Sequence, residues 1–267
     1  MLKDITLGQF FPGTSVVHRL DPRTKLLMLV GYIVALFVAS GWVSYAVCFV
    51  FLAVSIALSR IPLKSIFRGL KPLVFILIFT GVLNLFFTPG TPIFRWGFIT
   101  ITWEGLAQAA KMMLRILMLI SGTFLLTYTT SPIALTDGLE SLLGPLKAIK
   151  VPVHELSMMM CIALRFIPTL IEETDKIMSA QKARGADFES GNLLERVKAL
   201  VPILVPLFIS AFRRADELAT AMECRCYQGG DGRTKMKLLR YRRYDYVTYL
   251  VGFLLVAGVI VLVSFGL

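Results

Sequence analysis

Histidine is nearly missing from this chain: of 267 residues only His18 and His154 carry an imidazole. Cysteine is also scarce, with Cys48, Cys161, Cys224 and Cys226, and no pair has the CxxC spacing of a metal knuckle or a dithiol redox site. No HExxH, GxSxG or GxxxxGK[ST] segment occurs. Nothing here forms a zinc hydrolase, a serine hydrolase or a phosphate loop, so the chain reads as non-catalytic, with no cofactor of its own. Charge is thin as well. Asp, Glu, Lys and Arg make up 17% of the residues, against about a quarter in a soluble domain. Acidic residues are absent from the longest apolar runs except for Glu104 at the edge of one. That argues against a self-contained secondary transporter, the alternative class, which needs midplane acids and inverted repeats. No basic patch interleaved with aromatics stands out, which argues against nucleic acid as a partner.

What is abundant is apolar surface: 56% hydrophobic residues and a mean hydropathy of +0.74. It is gathered into runs at 25–41, 43–59, 72–88, 104–128 and 246–267. About 20 apolar residues cross the roughly 30 Å hydrocarbon layer, so five transmembrane helices are expected. The first two runs are short and meet at Gly41-Trp42, predicting a tight helical hairpin with Trp42 at an interface. Residues 89–103 read as a loop with aromatic anchors. Asn84 reads as helix-packing glue, and Lys111 and Arg115 as a charged face directed into protein or toward headgroups.

The net charge of +11 reads as topology. Lys3, Arg19, Arg23 and Lys25 precede the first run, and Arg60, Lys64, Arg68 and Lys71 separate the second from the third. Only Arg95 follows the third run, whereas 129–245 holds seventeen Lys and Arg residues. Basic loops stay inside. The expected orientation is a multi-pass protein of the cell membrane with its N-terminus cytoplasmic and its C-terminus on the extracellular side.

Three divisions follow: a four-helix transmembrane domain over 1–128, a cytoplasmic coupling domain over 129–244, and a final transmembrane helix over 245–267 that packs with the first four. Within the middle segment, Ser131-Pro132 caps a short amphipathic helix that stops near Gly144-Pro145. Val151-Pro152 opens a long helix through Ala183, bent at Pro168, with Gly185 as its terminating glycine. A third helix spans about Leu193–Arg225 and ends at Gly229, Gly230 and Gly232, with Val197, Val201, Leu204, Phe208, Ala211, Ala215, Leu218 and Met222 forming one apolar stripe. A basic collar of Lys235, Lys237, Arg240, Arg242 and Arg243 follows. These helices are too apolar for water and too charged to span, so they are expected along the inner membrane face. Met158, Met159, Met160, Phe166, Leu204 and Phe208 are candidate contacts for another membrane protein, since methionine repacks against varied surfaces. The plain alternative is internal packing.

Two helix ends repeat. Asp175, Ile177, Ala180 and Arg184 match Asp216, Leu218, Ala221 and Arg225 at an offset of 41 residues. Arginine near a helix C-terminus is favourable by about 0.3–1 kcal/mol through the dipole alone. A repeated context favours a docking role, with each guanidinium fork presented to a partner that has two equivalent grooves. Ala183, Arg184 and Gly185 form the first tip, and Cys224, Arg225 and Cys226 the second.

Asp21-Pro22-Arg23-Thr24-Lys25, Ala163-Leu164-Arg165-Phe166-Ile167-Pro168 and Ala180-Gln181-Lys182-Ala183-Arg184-Gly185 resemble the transmembrane T component of energy-coupling factor transporters, a prokaryotic branch of the ABC transporters. The resemblance covers most of the chain. It implies an all-α membrane protein with three long coupling helices on the cytoplasmic side, two of them crossed and each ending in an Ala-Arg-Gly-type triplet. It implies two cytosolic ATPase subunits, identical or not, that bind the ATP, and a separate membrane S component that holds a vitamin or other micronutrient. One T component of this kind can serve several S components. The first triplet matches fully, and the second keeps only Arg225.

Overall fold

The structure, a computed structural model, describes residues 10–96, 99–186, 188, 193–230 and 238–266. These fall into two compact units, one drawn from Gly8–Ser141 with Leu239–Leu267 and the other from Leu142–Leu238.

The first unit opens with a single turn, α1 (Val16–Arg19), followed by α2 (Pro22–Val38) and α3 (Trp42–Ser59). The amphipathic α4 (Leu63–Leu70) leads through a 3₁₀ turn, Lys71–Leu73, into α5 (Val74–Phe87). Strands β1 (Pro92–Trp96) and β2 (Ile99–Thr102) pair antiparallel, then come α6 (Trp103–Thr129), α7 (Pro132–Leu142) at the boundary of the unit, and α10 (Arg243–Ser264). The hairpin corrects the expectation of an irregular loop at 89–103. Its sequence is rich in β-branched and aromatic residues, which fit a pleated ladder. Apart from this hairpin, all the regular structure among the described residues is helical.

Among the described residues, five helical stretches are long and apolar enough to cross a membrane: Trp42–Ser59, Leu63–Phe87, Trp103–Thr129, Val153–Ala183 and Arg243–Ser264. The chain is an all-α membrane protein, and the number of such stretches matches the sequence reading, but the membership differs. α2, placed by sequence at 25–41, is 17 residues long, about 25 Å of helix. The long helix after Pro152 enters the set because one 18-residue stretch of it is apolar and carries few charges. The last helix begins three residues earlier than 246, because Asp245 caps it from within.

The core of this unit lies where α2, α3, α6 and α10 meet. Leu36, Cys48, Met118 and Val259 are fully buried there, with Tyr32 and Tyr45 beside them. A second cluster seats α4 on α6 through Ile66, Leu70 and Tyr128. Gly69 permits this approach: a methyl group there would come within 2.7 Å of the Phe124 ring. The outward faces stay apolar. Phe75 is 78% exposed, and Phe253 72%. Such surface is tolerable only against lipid or another apolar partner.

The polar residues of this unit serve helix ends. Asp21 caps α2, accepting from Arg23 N at 3.0 Å. Buried Asp245 accepts from Arg242 N at 2.7 Å and from Asp21 N at 2.9 Å, so one carboxylate joins the starts of α10 and α2. Lys25 Nζ donates to Thr129 O at 2.9 Å and Thr130 Oγ1 at 3.0 Å, tying in the end of α6. Arg23 donates to Leu239 O at 3.0 Å and lies over the Tyr241 ring. At the opposite end of α2, Lys111 donates to Ser40 O at 2.8 Å and Arg115 to Ala39 O at 3.0 Å. The two cations of α6 therefore satisfy carbonyls of the turn between α2 and α3, which helix geometry leaves unpaired. They also stack on Trp42, Phe37 and Tyr45. The Asn84 amide donates to Thr80 O of its own helix at 2.9 Å.

The second unit holds a 3₁₀ turn at Gly144–Ile149 and two 31-residue helices, α8 (Val153–Ala183) and α9 (Leu193–Glu223). α8 runs unbroken through Pro168, and α9 through Pro202 and Pro206.

Candidate docking site

The two arginine tips end in the same backbone motif. At the end of α8, Gly185 takes a positive φ of 88°. Its N–H donates to Lys182 O at 3.0 Å, and Ala186 N donates to Gln181 O at 3.0 Å. At the end of α9, Cys226 takes a positive φ of 54°. Its N–H donates to Glu223 O at 2.8 Å, and Tyr227 N donates to Met222 O at 3.0 Å. Both are Schellman endings, in which the last two orphan carbonyls are closed by a left-handed residue and its successor. Arg184 and Arg225 occupy the same place, immediately before the left-handed residue. The end of α9 falls near Arg225, as the sequence predicts, but the residue that closes it is Cys226 and not Gly229. Gly232, Lys235 and Lys237 lie outside the described residues.

The repeat extends into side chains. Ser179 Oγ donates to Asp175 O at 2.8 Å, and Thr220 Oγ1 donates to Asp216 O at 2.8 Å. These too are 41 residues apart. The same offset appears where the helices touch: Arg214 pairs with Glu173 at 2.8 Å, and Ser210 donates to the same carboxylate. Eleven residues separate Glu173 from Arg184, and eleven separate Arg214 from Arg225. Each arm thus extends about 16 Å beyond the ion pair at the helical rise.

Arg184 and Arg225 are both exposed, as are Ala183, Gly185, Cys224 and Cys226. Neither arginine is ion-paired with a described residue. None of the four cysteines is in a disulfide; Cys48 is buried, and Cys224 and Cys226 are exposed. Among the described residues, no cluster of His, Cys, Asp and Glu could hold a metal ion.

The apolar residues named for partner contact divide. Met158 and Phe166 are half-buried, while Met159, Met160, Leu204 and Phe208 are exposed, Phe208 at 62%. Of the α9 stripe read from sequence, Val201, Leu204, Phe208 and Ala215 are exposed, with Val205, Ile209 and Phe212 beside them, while Ala211, Leu218 and Met222 are half-buried. The inward line passes through buried Ile203 and half-buried Leu207, Ser210, Arg214 and Leu218. Periodicity finds a stripe but does not say which surface covers it. Sequence reasoning missed the Glu173–Arg214 pair and Asp245. The signal for the pair was present, because the two residues occupy equivalent places in the repeat.

Helices long and apolar enough to cross a membrane define an integral membrane protein, and two exposed basic tips are presented by its second unit. Residues 13–236 match the CbiQ family, described as cobalt transport protein. The chain is 56% identical over 245 residues to a protein of Ruminiclostridium cellulolyticum, covering 92% of each chain. It is 58% identical over 257 residues to one of Thermosediminibacter oceani, covering 96% of this chain and 97% of the relative. A Bacillus subtilis relative is 52% identical over 246 residues, with 92% and 93% covered. Each of the three is named energy-coupling factor transporter transmembrane protein EcfT. The chain belongs to this family, as a transmembrane component of an energy-coupling factor transporter.

Proposed function

We propose that this chain couples two cytosolic ATPase subunits to a substrate-binding membrane S component, for uptake of vitamins or other micronutrients. The ATPases bind and hydrolyse the ATP, and this chain transmits their motion. The observation that carries the reading is the pair of matched Schellman endings, each presenting an exposed arginine at equal reach from one ion pair. A dimer that opens and closes offers two like grooves, and each guanidinium fork suits carboxylates and carbonyls in such a groove. Ala183, Arg184 and Gly185 enter one groove, and Cys224, Arg225 and Cys226 the other. α8 and α9 cross at Glu173 and Arg214, and movement of the ATPases changes that crossing.

In the same reading, α2 crosses the bilayer beside α6 and α10, and α8 lies at the inner face because Glu172, Glu173, Asp175, Lys176 and Lys182 are too charged for hydrocarbon. The N-terminus is cytoplasmic and the C-terminus extracellular. The basic starts of α2 and α10 meet the end of α6 through the Asp21–Asp245 and Lys25–Thr129 bonds, and basic α4 joins the same end where Tyr128 donates to Ser65 O. Exposed Trp42 neighbours the turn at the other end. That separation agrees with basic ends inside and aromatic anchors at the interface. The outward apolar residues Met159, Met160, Leu204 and Phe208, with Met158 and Phe166 behind them, receive the S component.

The test is co-purification and substrate uptake with the whole complex. Arg184→Glu or Arg225→Glu alone should weaken recovery of the ATPases, and the double variant should abolish both recovery and uptake while leaving this chain in the membrane. Full assembly and uptake by the double variant would overturn the reading.

A further inference from the structure

We propose that the first unit holds one anionic phospholipid, with its headgroup between Arg19 and Arg60 and its acyl chains in the adjoining groove. Two cavities of contrasting character share a boundary there. One, of about 490 Å³, is lined by Thr14, Ser15, Arg19, Arg60 and Tyr244, among others. The other, of about 360 Å³, is largely apolar, with Leu29, Phe51, Leu52, Leu126 and Val251 in its wall. Val16, Leu58 and Tyr244 line both, so the cleft that holds Arg19 and Arg60 adjoins the apolar groove.

The cations around this place are not alike. Lys25 reaches Thr129 O and Thr130 Oγ1, and Arg23 is held by Leu239 O, Asp21 and the Tyr241 ring. Arg19 and Arg60 are exposed, neither has an ion-pair partner among the described residues, and both line the same cleft. Arg60 is held there at a positive φ of 57°, where it closes α3. Two unneutralised guanidinium groups call for an anion and bind phosphate oxygens well. The groove beside them calls for hydrocarbon. A ligand with both parts, in a protein surrounded by bilayer, is a lipid with a negatively charged headgroup, and basic pockets between transmembrane helices recognise such headgroups. The lipid joins α1, α2, α3, α6 and α10 along one seam.

Native mass spectrometry of the full-length chain, titrated with phosphatidylglycerol and separately with phosphatidylcholine, tests this. One molecule of phosphatidylglycerol should bind with roughly tenfold preference. The R19Q/R60Q variant should lose that preference while still binding both lipids weakly. Leu126→Trp, which fills the groove, should lose the single tight adduct while keeping its elution profile, and so decides the matter even if the arginine variant does not fold. Glycerol phosphate should not displace the lipid. Equal binding of the two lipids by the unsubstituted chain, an unchanged adduct in Leu126→Trp, or displacement by glycerol phosphate would overturn the proposal, the last by indicating a soluble phosphate site instead.

Discussion

At Gly185 and Cys226 one backbone shape is made from two residues of unequal suitability. A left-handed φ costs a residue with a Cβ roughly 1 kcal/mol, whereas glycine adopts it freely. Cys226→Gly should therefore raise stability by about 0.5–1 kcal/mol, and Gly185→Ala should lower it by about 1 kcal/mol. Thermal unfolding of the detergent-solubilised chain measures both. A second residue-scale prediction concerns Asp245, which is 1% exposed and accepts from the backbone of Arg242 and Asp21. Asn in its place keeps one acceptor and sets an amide donor against the other N–H, so Asp245→Asn should cost about 1–3 kcal/mol, read as a lower unfolding temperature. Sequence gave the αL glycine at 185 because Gly after a basic last turn is a helix-stop signal. Cys226 carries no such signal, so the sequence placed the helix end near Arg225 but assigned its closure to the next glycines. Asp245 was hidden for a different reason: its two partners lie at positions that only folding brings together.

Among the elements, α8 and α9 depend on each other through a contact between equivalent positions. Glu173 and Arg214 are partly exposed, so their attraction is screened and its main use is registration rather than stability. Charge exchange tests this. Glu173→Arg alone and Arg214→Glu alone should each place like charges together and reduce uptake several-fold in the assembled transporter. The double exchange should restore much of it. Equal loss in all three variants would deny the pair a registering role. The extents of α3, α6 and the long helices were legible because their apolar runs, prolines and caps agree. The hairpin at 92–102 was not, because proline, glycine and tryptophan there read as a loop, and the pairing of two short strands is visible only once both are in place. Lys111 and Arg115 were legible as a face directed into protein or toward headgroups, but their acceptors on Ala39 and Ser40 are more than 70 residues away, beyond any local pattern.

For the whole molecule, the distribution of thiols gives a direct test of orientation. Cys224 and Cys226 are exposed and Cys48 is buried. If Lys and Arg set topology, a membrane-impermeant maleimide should label Cys224 and Cys226 in inside-out vesicles and not in intact cells. Bound ATPase subunits should lower that labelling, since both thiols flank Arg225. Labelling in intact cells would reverse the assignment of sides. The sequence-level argument for sides rested on counting basic residues in connecting segments. The fold adds that those from separate connections meet at one end of the first unit, fastened by Asp21, Lys25 and Asp245.

The equal spacing from ion pair to tip on α8 and α9 has a consequence for how the gene can vary. Each residue of α-helix turns the chain by about 100°. One codon added or lost between Glu173 and Arg184, or between Arg214 and Arg225, would swing that guanidinium to another side of its helix and leave its twin behind. Substitutions in these stretches are compatible with the design, whereas changes of length put the two hands out of phase.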